Sequence, residues 1–479
     1  MAKFNSTHTN KTVNKSGHVA YKMKDKEKLV TQVLTSFFNE QKFYGDNSKD
    51  MQETIKRVVA TDPKFVANLA VFARREFNMR SVSHILVAYL SHEVQGKPYT
   101  REVINAVSLR GDDVTEIMAC YLSLFGKPVP NALKKGIADV MQRFDEYTLA
   151  KYKGSGKAVK MRDLLCICRP TPKDMAQSDM WKRLLNNDLE IPMTWEMQLS
   201  ANGNNAETWE KLIDSGKVGY MALLRNLRNV LIANPSNVYK VLETIKNPEA
   251  VRRSKQLPFR YLSAFKECEK VGGSRVFNAL EDAIEASIEN IPKLSGTTVI
   301  AVDVSGSMTD YISEKSKVHC YEIAMLLGLI ANKICDNSIF YTFNHVINKY
   351  PVSNRSGILY TVSNSCCGGG TDMCLPFSKM IADNIRADRI IILSDNECNS
   401  NGGWLCSRKP VQSIADEYRK QTGNDIWVHA IDLQGYGTQQ FHGSKTNIIA
   451  GWSEKVFEFI KLAEQGEGNL ERTIESYTY

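Results

Sequence analysis

The 479-residue sequence predicts two structural classes in series: an all-α helical array (an α-solenoid) over residues 1–292 and a doubly wound α/β domain over residues 293–479. Three observations carry that reading. Apolar residues recur at helical spacing between short breakers in the first part, β-branched runs alternate with helical stretches from Gly296 onward, and the charge changes sign. Residues up to Lys293 hold 45 Lys and Arg against 33 Asp and Glu, a charge of +12, whereas the remainder carries −4. Such asymmetry points to domains with different partners, and the basic one is compatible with a polyanion.

In the helical part, Asp62-Pro63 supplies a capping oxygen before a proline at the first helical position, a start signal. Phe65, Leu69, Phe72 and Ala73 then fall at i, i+4, i+7 and i+8 and predict one helix face. Tyr220, Leu224, Leu227 and Leu231 predict another. Breakers recur at Gly96-Lys97-Pro98, Gly126-Lys127-Pro128, Gly154-Ser155-Gly156, Asn234-Pro235 and Leu257-Pro258. Serial helices with short connections favour an α-solenoid or irregular helical array, and without a fixed-period repeat any repeats are structural rather than copied.

From Gly296 the strand-like runs are TTVIAVDV, SIFYTF, RIIILSD and DIWVHAIDL, separated by helical YEIAMLLGLIANKI, LPFSKMIADNI and PVQSIADEYRKQ. This alternation predicts a parallel sheet, which presents functional groups beyond the carboxyl ends of its strands. The stretch after Gly466 has no sheet role and is expected to pack back on the helical part.

The first strand ends in Asp303-Val304-Ser305-Gly306-Ser307. A carboxylate and two hydroxyls at alternate positions converge on one side of a strand-to-helix turn. Hard oxygen donors of this kind suit Mg²⁺ or a similar divalent ion. Thr371 follows Gly368-Gly369-Gly370 and Asp395 closes the RIIILSD strand, so the topology delivers all five to one rim. So few carboxylates leave the ion net positive, with an open coordination position. The alternative is an Asp-Ser turn that caps a helix without metal. Asp372 and Glu397 are expected to be capping or solvated.

This series resembles the metal-ion-dependent adhesion site of von Willebrand factor A domains. The resemblance implies that Ser305, Ser307 and Thr371 face the ion, that Asp303 and Asp395 act directly or through water, and that a partner's carboxylate takes the open position. The helical part is similar to the TROVE module of the Ro ribonucleoprotein family. The matching stretches are Gly17-His18-Val19-Ala20-Tyr21-Lys22, Ala73-Arg74-Arg75 with Arg80, Arg110-Gly111-Asp112-Asp113-Val114-Thr115-Glu116, Leu224-Arg225-Asn226-Leu227 and Pro258-Phe259-Arg260. That resemblance implies a ring of HEAT-like helices closed by the metal domain. It also implies small structured Y RNA on the basic outer surface and single-stranded ends of misfolded RNA in the hole.

Lys151-Tyr152-Lys153 through Met161-Arg162-Asp163-Leu164-Leu165 matches the family's Y RNA-contacting region. The family usually continues there with an arginine and then a histidine before a proline. This chain has Cys166 and Arg169 before Pro170, so histidine-type contacts are lost. Apart from any resemblance, Lys151, Lys153, Lys157, Lys160, Arg162, Arg169 and Lys173 fall within 23 positions that hold one acidic residue, Asp163. Phosphate neutralisation by such a cluster is the sequence-independent part of nucleic-acid affinity. Arg225 and Arg228, three apart beside an apolar stripe, are placed to line a groove.

Other classes are set aside. No G-x-x-x-x-G-K-[ST] motif is present. Cys166-x-Cys168 and Cys366-Cys367 lack the paired C-x₂-C spacing of structural zinc. The eight histidines form no local catalytic signature, and His84 is expected to be a satisfied core residue. No run of about 18 apolar residues occurs, so no transmembrane helix is expected. The polar N-terminus is not a secretory signal, and the eleven cysteines are expected as thiols in a reducing cytoplasm. The expectation is therefore a non-enzymatic, RNA-binding ribonucleoprotein scaffold with a Mg²⁺-type site and no membrane attachment. It would hold a small structured non-coding RNA and capture misfolded or single-stranded RNA ends, presenting them to a ribonuclease or RNA-repair enzyme. The alternatives are a protein-interaction scaffold that works through the metal site without RNA, and a metal-dependent hydrolase, for which no general base is identifiable.

Overall fold

The computed structural model describes residues 11–13, 19–35, 49–154, 156–190, 194–289, 291–311, 316–352, 356–398, 410–434, 438–443, 445–450, 455–465 and 470–479. Gly17, His18 and Ser155 from the motifs above lie outside the described residues. Helices run from Asp25–Thr35 to Ser274–Ile288, and the switch to strands follows at Leu294. The predicted helix start is present. The Asp62 carboxylate accepts a hydrogen bond from the Phe65 amide at 3.0 Å, and Pro63 opens the helix Pro63–Arg75. Phe65, Leu69, Phe72 and Ala73 are all buried there. In the helix Tyr220–Ala233 the buried stripe runs through Leu223, Leu224, Leu227 and Val230, and Leu231 is only half-buried.

The strands are β1 (Lys11–Val13), β2 (Val19–Lys22), β3 (Leu294–Asp303), β4 (Cys335–Phe343), β5 (Ile347–Lys349), β6 (Arg389–Ser394), β7 (Trp427–Asp432), β8 (Thr438–Gln439) and β9 (Thr446–Ala450). Six of them form the main sheet in the order β5-β4-β3-β6-β7-β9. Every pairing in it is parallel except the β4–β5 hairpin. Val299 to Val302 at its centre are fully buried. The predicted α/β alternation is therefore present. A second, three-stranded antiparallel sheet, β1-β2-β8, was not expected. Strands of two to four residues are too short to show a period of two, and β2 finds its partner β8 far along the chain.

Packing divides the chain elsewhere than the switch in secondary structure. Residues 24–193 with 471–479 form one compact unit, and residues 1–23 with 194–470 form the other. In the second unit, late helices are tied to the sheet domain. Lys266 of helix Pro258–Cys268 pairs with the buried Glu322 of helix Cys320–Ile334. Glu281 of helix Ser274–Ile288 accepts from the Tyr360 amide at 2.9 Å, at the start of helix Ile358–Ser363. In the first unit, the C-terminal segment packs back on a helix, as expected. Asn68 Nδ2 donates to the carbonyls of Ile474 and Glu475 at 2.9 and 3.0 Å, and Tyr477 donates to Glu76 at 2.9 Å.

At the amino end of the sheet, Arg389 of β6 grips Glu464 through two hydrogen bonds of 2.6 and 2.8 Å, and His429 of β7 lies 2.9 Å from the same carboxylate. This clamps helix Lys455–Glu464 to the strands. Burial pushes the Glu464 carboxyl up, but the hydrogen bonds and charges of His429 and Arg389 outweigh it and hold it at about 2. A depressed folded value stabilises fully above the ordinary carboxylate range and is lost as pH falls toward 2. Glu464→Gln should therefore cost about 3 kcal/mol at neutral pH, since it leaves a buried guanidinium unpaired. The gap to wild type should narrow below pH 4.5, as urea denaturation of both proteins across that range would measure.

Candidate metal site and nucleic-acid interface

Parallel pairing of β3 with β6, with Val302 opposite Leu393, brings the carboxyl ends of these strands out side by side. Asp303 closes β3, and Asp395 follows Ser394 at the end of β6. Asp303, Ser305 and Asp395 are 0% exposed and Thr371 is 2% exposed, whereas Ser307 opens to solvent. The glycine loop is laid directly on the Asp303–Ser307 turn. Gly306 N–H donates to the Gly369 carbonyl and Gly368 N–H to the Val304 carbonyl, each at 2.8 Å. Asn344, beyond β4, donates to the Gly368 carbonyl at 2.6 Å and accepts from the Asp372 amide at 2.9 Å. Glycine is required at 369, where φ is +81° and a Cβ would meet His345 Nδ1 at 2.2 Å. The structure thus brings the two strand ends and the threonine loop to one rim.

Within the rim, Asp303 accepts from the Ser305 amide at 2.9 Å and from the Ser394 hydroxyl at 2.6 Å. The Ser305 and Ser307 hydroxyls are 3.1 Å apart. Asp395 accepts from the Glu397 amide at 3.1 Å, and its Oδ2 is buried without a hydrogen-bond partner. Burial raises both carboxyls above their ordinary range, and the Asp303 charge raises Asp395 further. Among the described residues no cationic side chain acts on either one. Two dry carboxylates, an orphaned oxygen and adjacent hydroxyls make a hard-oxygen donor set with no cationic partner among the described residues, which fits a divalent ion of the Mg²⁺ type. Among the described residues no group of three or more His, Cys, Asp or Glu has metal-holding geometry, so such an ion would draw on the hydroxyls. Asp372 and Glu397 are buried rather than solvated. Asp372 caps the Cys374 amide at 2.9 Å, while Glu397 adds negative charge beside Asp395. Sequence reading missed Ser394, because a serine inside an apolar strand gives no signal of what it faces.

All seven cations from Lys151 to Lys173 keep partly or fully exposed side chains. Lys151 Nζ lies 5.6 Å from the ring centres of both Tyr147 and Tyr152, and Arg110 lies 5.7 Å over Tyr152. Lys157 is partly neutralised by Glu116 at 2.6 Å and Asp112 at 3.8 Å, and Arg162 is 3.8 Å from Asp163. Lys151, Lys153, Lys160, Arg169 and Lys173 make no ion pair among the described residues. Lys134 and Lys135, which sequence reading overlooked, join Arg169, Cys166 and Cys168 around a cavity of about 440 Å³. Only the packing of helix Asn131–Met141 against helix Met161–Cys168 reveals that grouping. Arg225 and Arg228 are exposed but belong to the other compact unit, where Arg228 is 3.4 Å from Glu267.

Beneath this face, Asp113 is fully buried and meets Arg74 at 3.2 Å, Arg80 at 2.5 Å and His84 at 3.3 Å. Burial opposes its ionisation, but His84, Arg80 and Arg74 together hold the carboxyl far below its ordinary range. Asp113 also accepts from the Leu109 and Arg110 amides at 3.0 and 2.8 Å, fixing the loop that carries Arg110 over Tyr152. His84 is buried in the core as expected, and its Nε2 faces Asp113 at 3.3 Å without completing a hydrogen bond there.

A sequence profile of the TROVE domain matches residues 14–187 and 182–273, and a profile of the Ro60 vWA domain matches residues 297–443. The chain belongs to the Ro ribonucleoprotein family. Its relatives include the RNA-binding protein RO60 of Deinococcus radiodurans, 24% identical over 267 residues, which covers 52% of this chain and 48% of that protein. The RNA-binding protein RO60 of Caenorhabditis elegans is 25% identical over 249 residues, covering 49% and 38%. Telomerase protein component 1 of Rattus norvegicus is 23% identical over 331 residues, covering 51% of this chain but 12% of that protein. The chain thus spans less than half the length of the curated relatives it matches. The crystal structure of the Deinococcus radiodurans Ro protein shares the fold, with a TM-score of 0.64 and 17% identity, over 93% of this chain and 100% of that one.

All five rim residues of this Ro-family chain fall within the Ro60 vWA match, and the basic residues fall within the TROVE match. Without metal, the folded rim retains protons that an unfolded chain has already lost. Stability of the metal-free protein should therefore fall as pH rises above the ordinary carboxylate range. Asp395→Asn should raise metal-free stability by about 1 kcal/mol near neutral pH and flatten that dependence. Thermal unfolding in chelator from pH 5 to pH 8 measures both effects.

Proposed function

We propose that this Ro-family chain is a non-enzymatic, cytoplasmic RNA-binding scaffold. It holds a small structured non-coding RNA of the Y type, captures misfolded or single-stranded RNA ends, and presents them to a ribonuclease or repair enzyme. The observation that carries the RNA reading is the Lys151–Lys173 segment, in which five cations make no ion pair among the described residues and Lys151 lies beside the exposed Tyr147 and the half-buried Tyr152. Cations neutralise phosphates, and tyrosine faces accept stacked bases in unpaired segments. Two of the relatives carry RNA binding in their names. The loss of histidine beside Pro170 favours phosphate contact through Arg169 over base readout at that point.

The rim serves recognition in this reading. Asp303, Ser305, Ser307, Thr371 and Asp395 would hold Mg²⁺, with the hydroxyls as neutral donors. A bound ion supplies positive charge that a carboxylate on a protein partner completes. The stitched Gly368–Gly369 loop keeps Thr371 in position, and burial of Asp303 and Asp395 excludes water from their side of the site.

Two measurements test this. Affinity for a structured RNA with a single-stranded tail should fall with salt at a log–log slope of about −0.7 per phosphate for unpaired segments. Reversing Lys151, Lys153 and Lys160 to Glu should flatten that slope by about 2, whereas reversing Lys349 and Lys420 should leave it unchanged. Equal losses from the two sets would refute the RNA face and favour a scaffold that ignores RNA. Separately, Mg²⁺ should raise the unfolding midpoint of wild type by mass action. Ser305→Ala should abolish that increment while RNA affinity persists. Loss of RNA binding in folded Ser305→Ala protein would instead make the rim part of the RNA site.

A further inference from the structure

We propose that the adjacent thiols of Cys366 and Cys367 are a redox modification site that couples thiol–disulfide exchange to the metal rim. The inference rests on the metal reading above. Cys366 is exposed and Cys367 half-exposed, in the irregular segment between helix Ile358–Ser363 and the glycine loop. Among the described residues no backbone hydrogen bond holds either cysteine, so that peptide is free to deform. Gly368, the next residue, is fixed at both ends. Its N–H donates to the Val304 carbonyl at 2.8 Å inside the Asp303–Ser307 turn, and its carbonyl accepts from Asn344 at 2.6 Å. Anything that reshapes the Cys366–Cys367 peptide therefore pulls on the turn one residue later. The ten described cysteines are all free, and these two are neighbours in sequence with solvent access.

The co-reactant is a small disulfide such as oxidised glutathione. The Cys366 thiolate attacks one sulfur and expels the other half as a thiolate, leaving a mixed disulfide. Cys367 then attacks the Cys366 sulfur and expels the second thiolate. Two protein thiols lose two electrons and two protons, and the small disulfide becomes two thiols. Adjacent Cα atoms sit about 3.8 Å apart across a trans peptide, closer than the roughly 4.4–6.8 Å of ordinary disulfides. The ring closes only by distorting its peptide, which makes the product easy to reduce and suits it to switching. Distortion at that peptide displaces Gly368 and weakens the seating of Thr371.

The test uses full-length protein, reduced or treated with oxidised glutathione. Peptide mass spectrometry should find an intramolecular Cys366–Cys367 disulfide, and Cys367→Ser should instead trap glutathione on Cys366. The unfolding midpoint is then titrated with Mg²⁺. Oxidised wild type should show Mg²⁺ affinity lowered about fivefold or more, the lower end of typical coupling between sites. Reductant should restore it, and Cys366→Ser with Cys367→Ser should be insensitive to the treatment. A disulfide that forms without changing Mg²⁺ affinity, or no disulfide at these positions, overturns the proposal and leaves the metal reading intact. Reduced protein with no Mg²⁺ increment overturns both, and the reduced sample alone distinguishes the two failures.

Discussion

Two carboxylates in dry surroundings, set side by side by the parallel pairing of β3 with β6, are the constraint around which the α/β domain is built. A buried charge is costly unless paired, and the described partners of this pair are neutral donors. The Ser305 amide and Ser394 hydroxyl serve Asp303, and the Glu397 amide serves one oxygen of Asp395. Among the described residues, no positive charge acts on either carboxylate. The glycine loop, held down at Gly368 and Gly369, completes a polar cup whose balance is left to something from outside.

The helical unit contains the opposite case. Asp113 is as deeply buried, but Arg74, Arg80 and His84 close around it and two loop amides complete its hydrogen bonds. A charge balanced within the chain lends rigidity, and here Asp113 fixes the loop that sets Arg110 over Tyr152. The same residue type is thus balanced internally in one unit and left with neutral donors alone, among the described residues, in the other. The distinction separates the buried Arg74 and half-buried Arg80 from the exposed Lys151 and half-exposed Lys153, which have no acidic partner among the described residues.

Much of this was legible before any coordinates. Asp62-Pro63 marked a helix start because capping and proline geometry are local, and the long apolar strands marked the sheet because burial on both faces leaves a continuous signal. The five rim residues followed from strand order, since the ends of β3 and β6 must share an edge. What escaped depends on distant partners. Strands β1 and β2 are too short to announce themselves and meet β8 across the chain. Lys134 and Lys135 join Arg169 only through helix packing, and the burial of Asp372 and Glu397 depends on tertiary neighbours that their local sequence does not announce. The break between compact units at residue 193 falls between helices Met175–Asn186 and Trp195–Asn202, inside the helical part of the sequence.

The docking of Ile474 and Glu475 on Asn68 has a consequence for how the molecule is made. These groups are 406 and 407 residues apart in sequence. At translation rates of about 5–20 residues per second, the early helix waits roughly 20–80 s for its last partner to emerge. During that interval the Asn68 amide, the edge of Phe72 and the Glu76 carboxylate have no tail to meet, although the helices around them are already complete. The nascent unit thus passes through a state with one open seam, where chaperones and wrong partners have their opportunity, and the final turn of helix seals it.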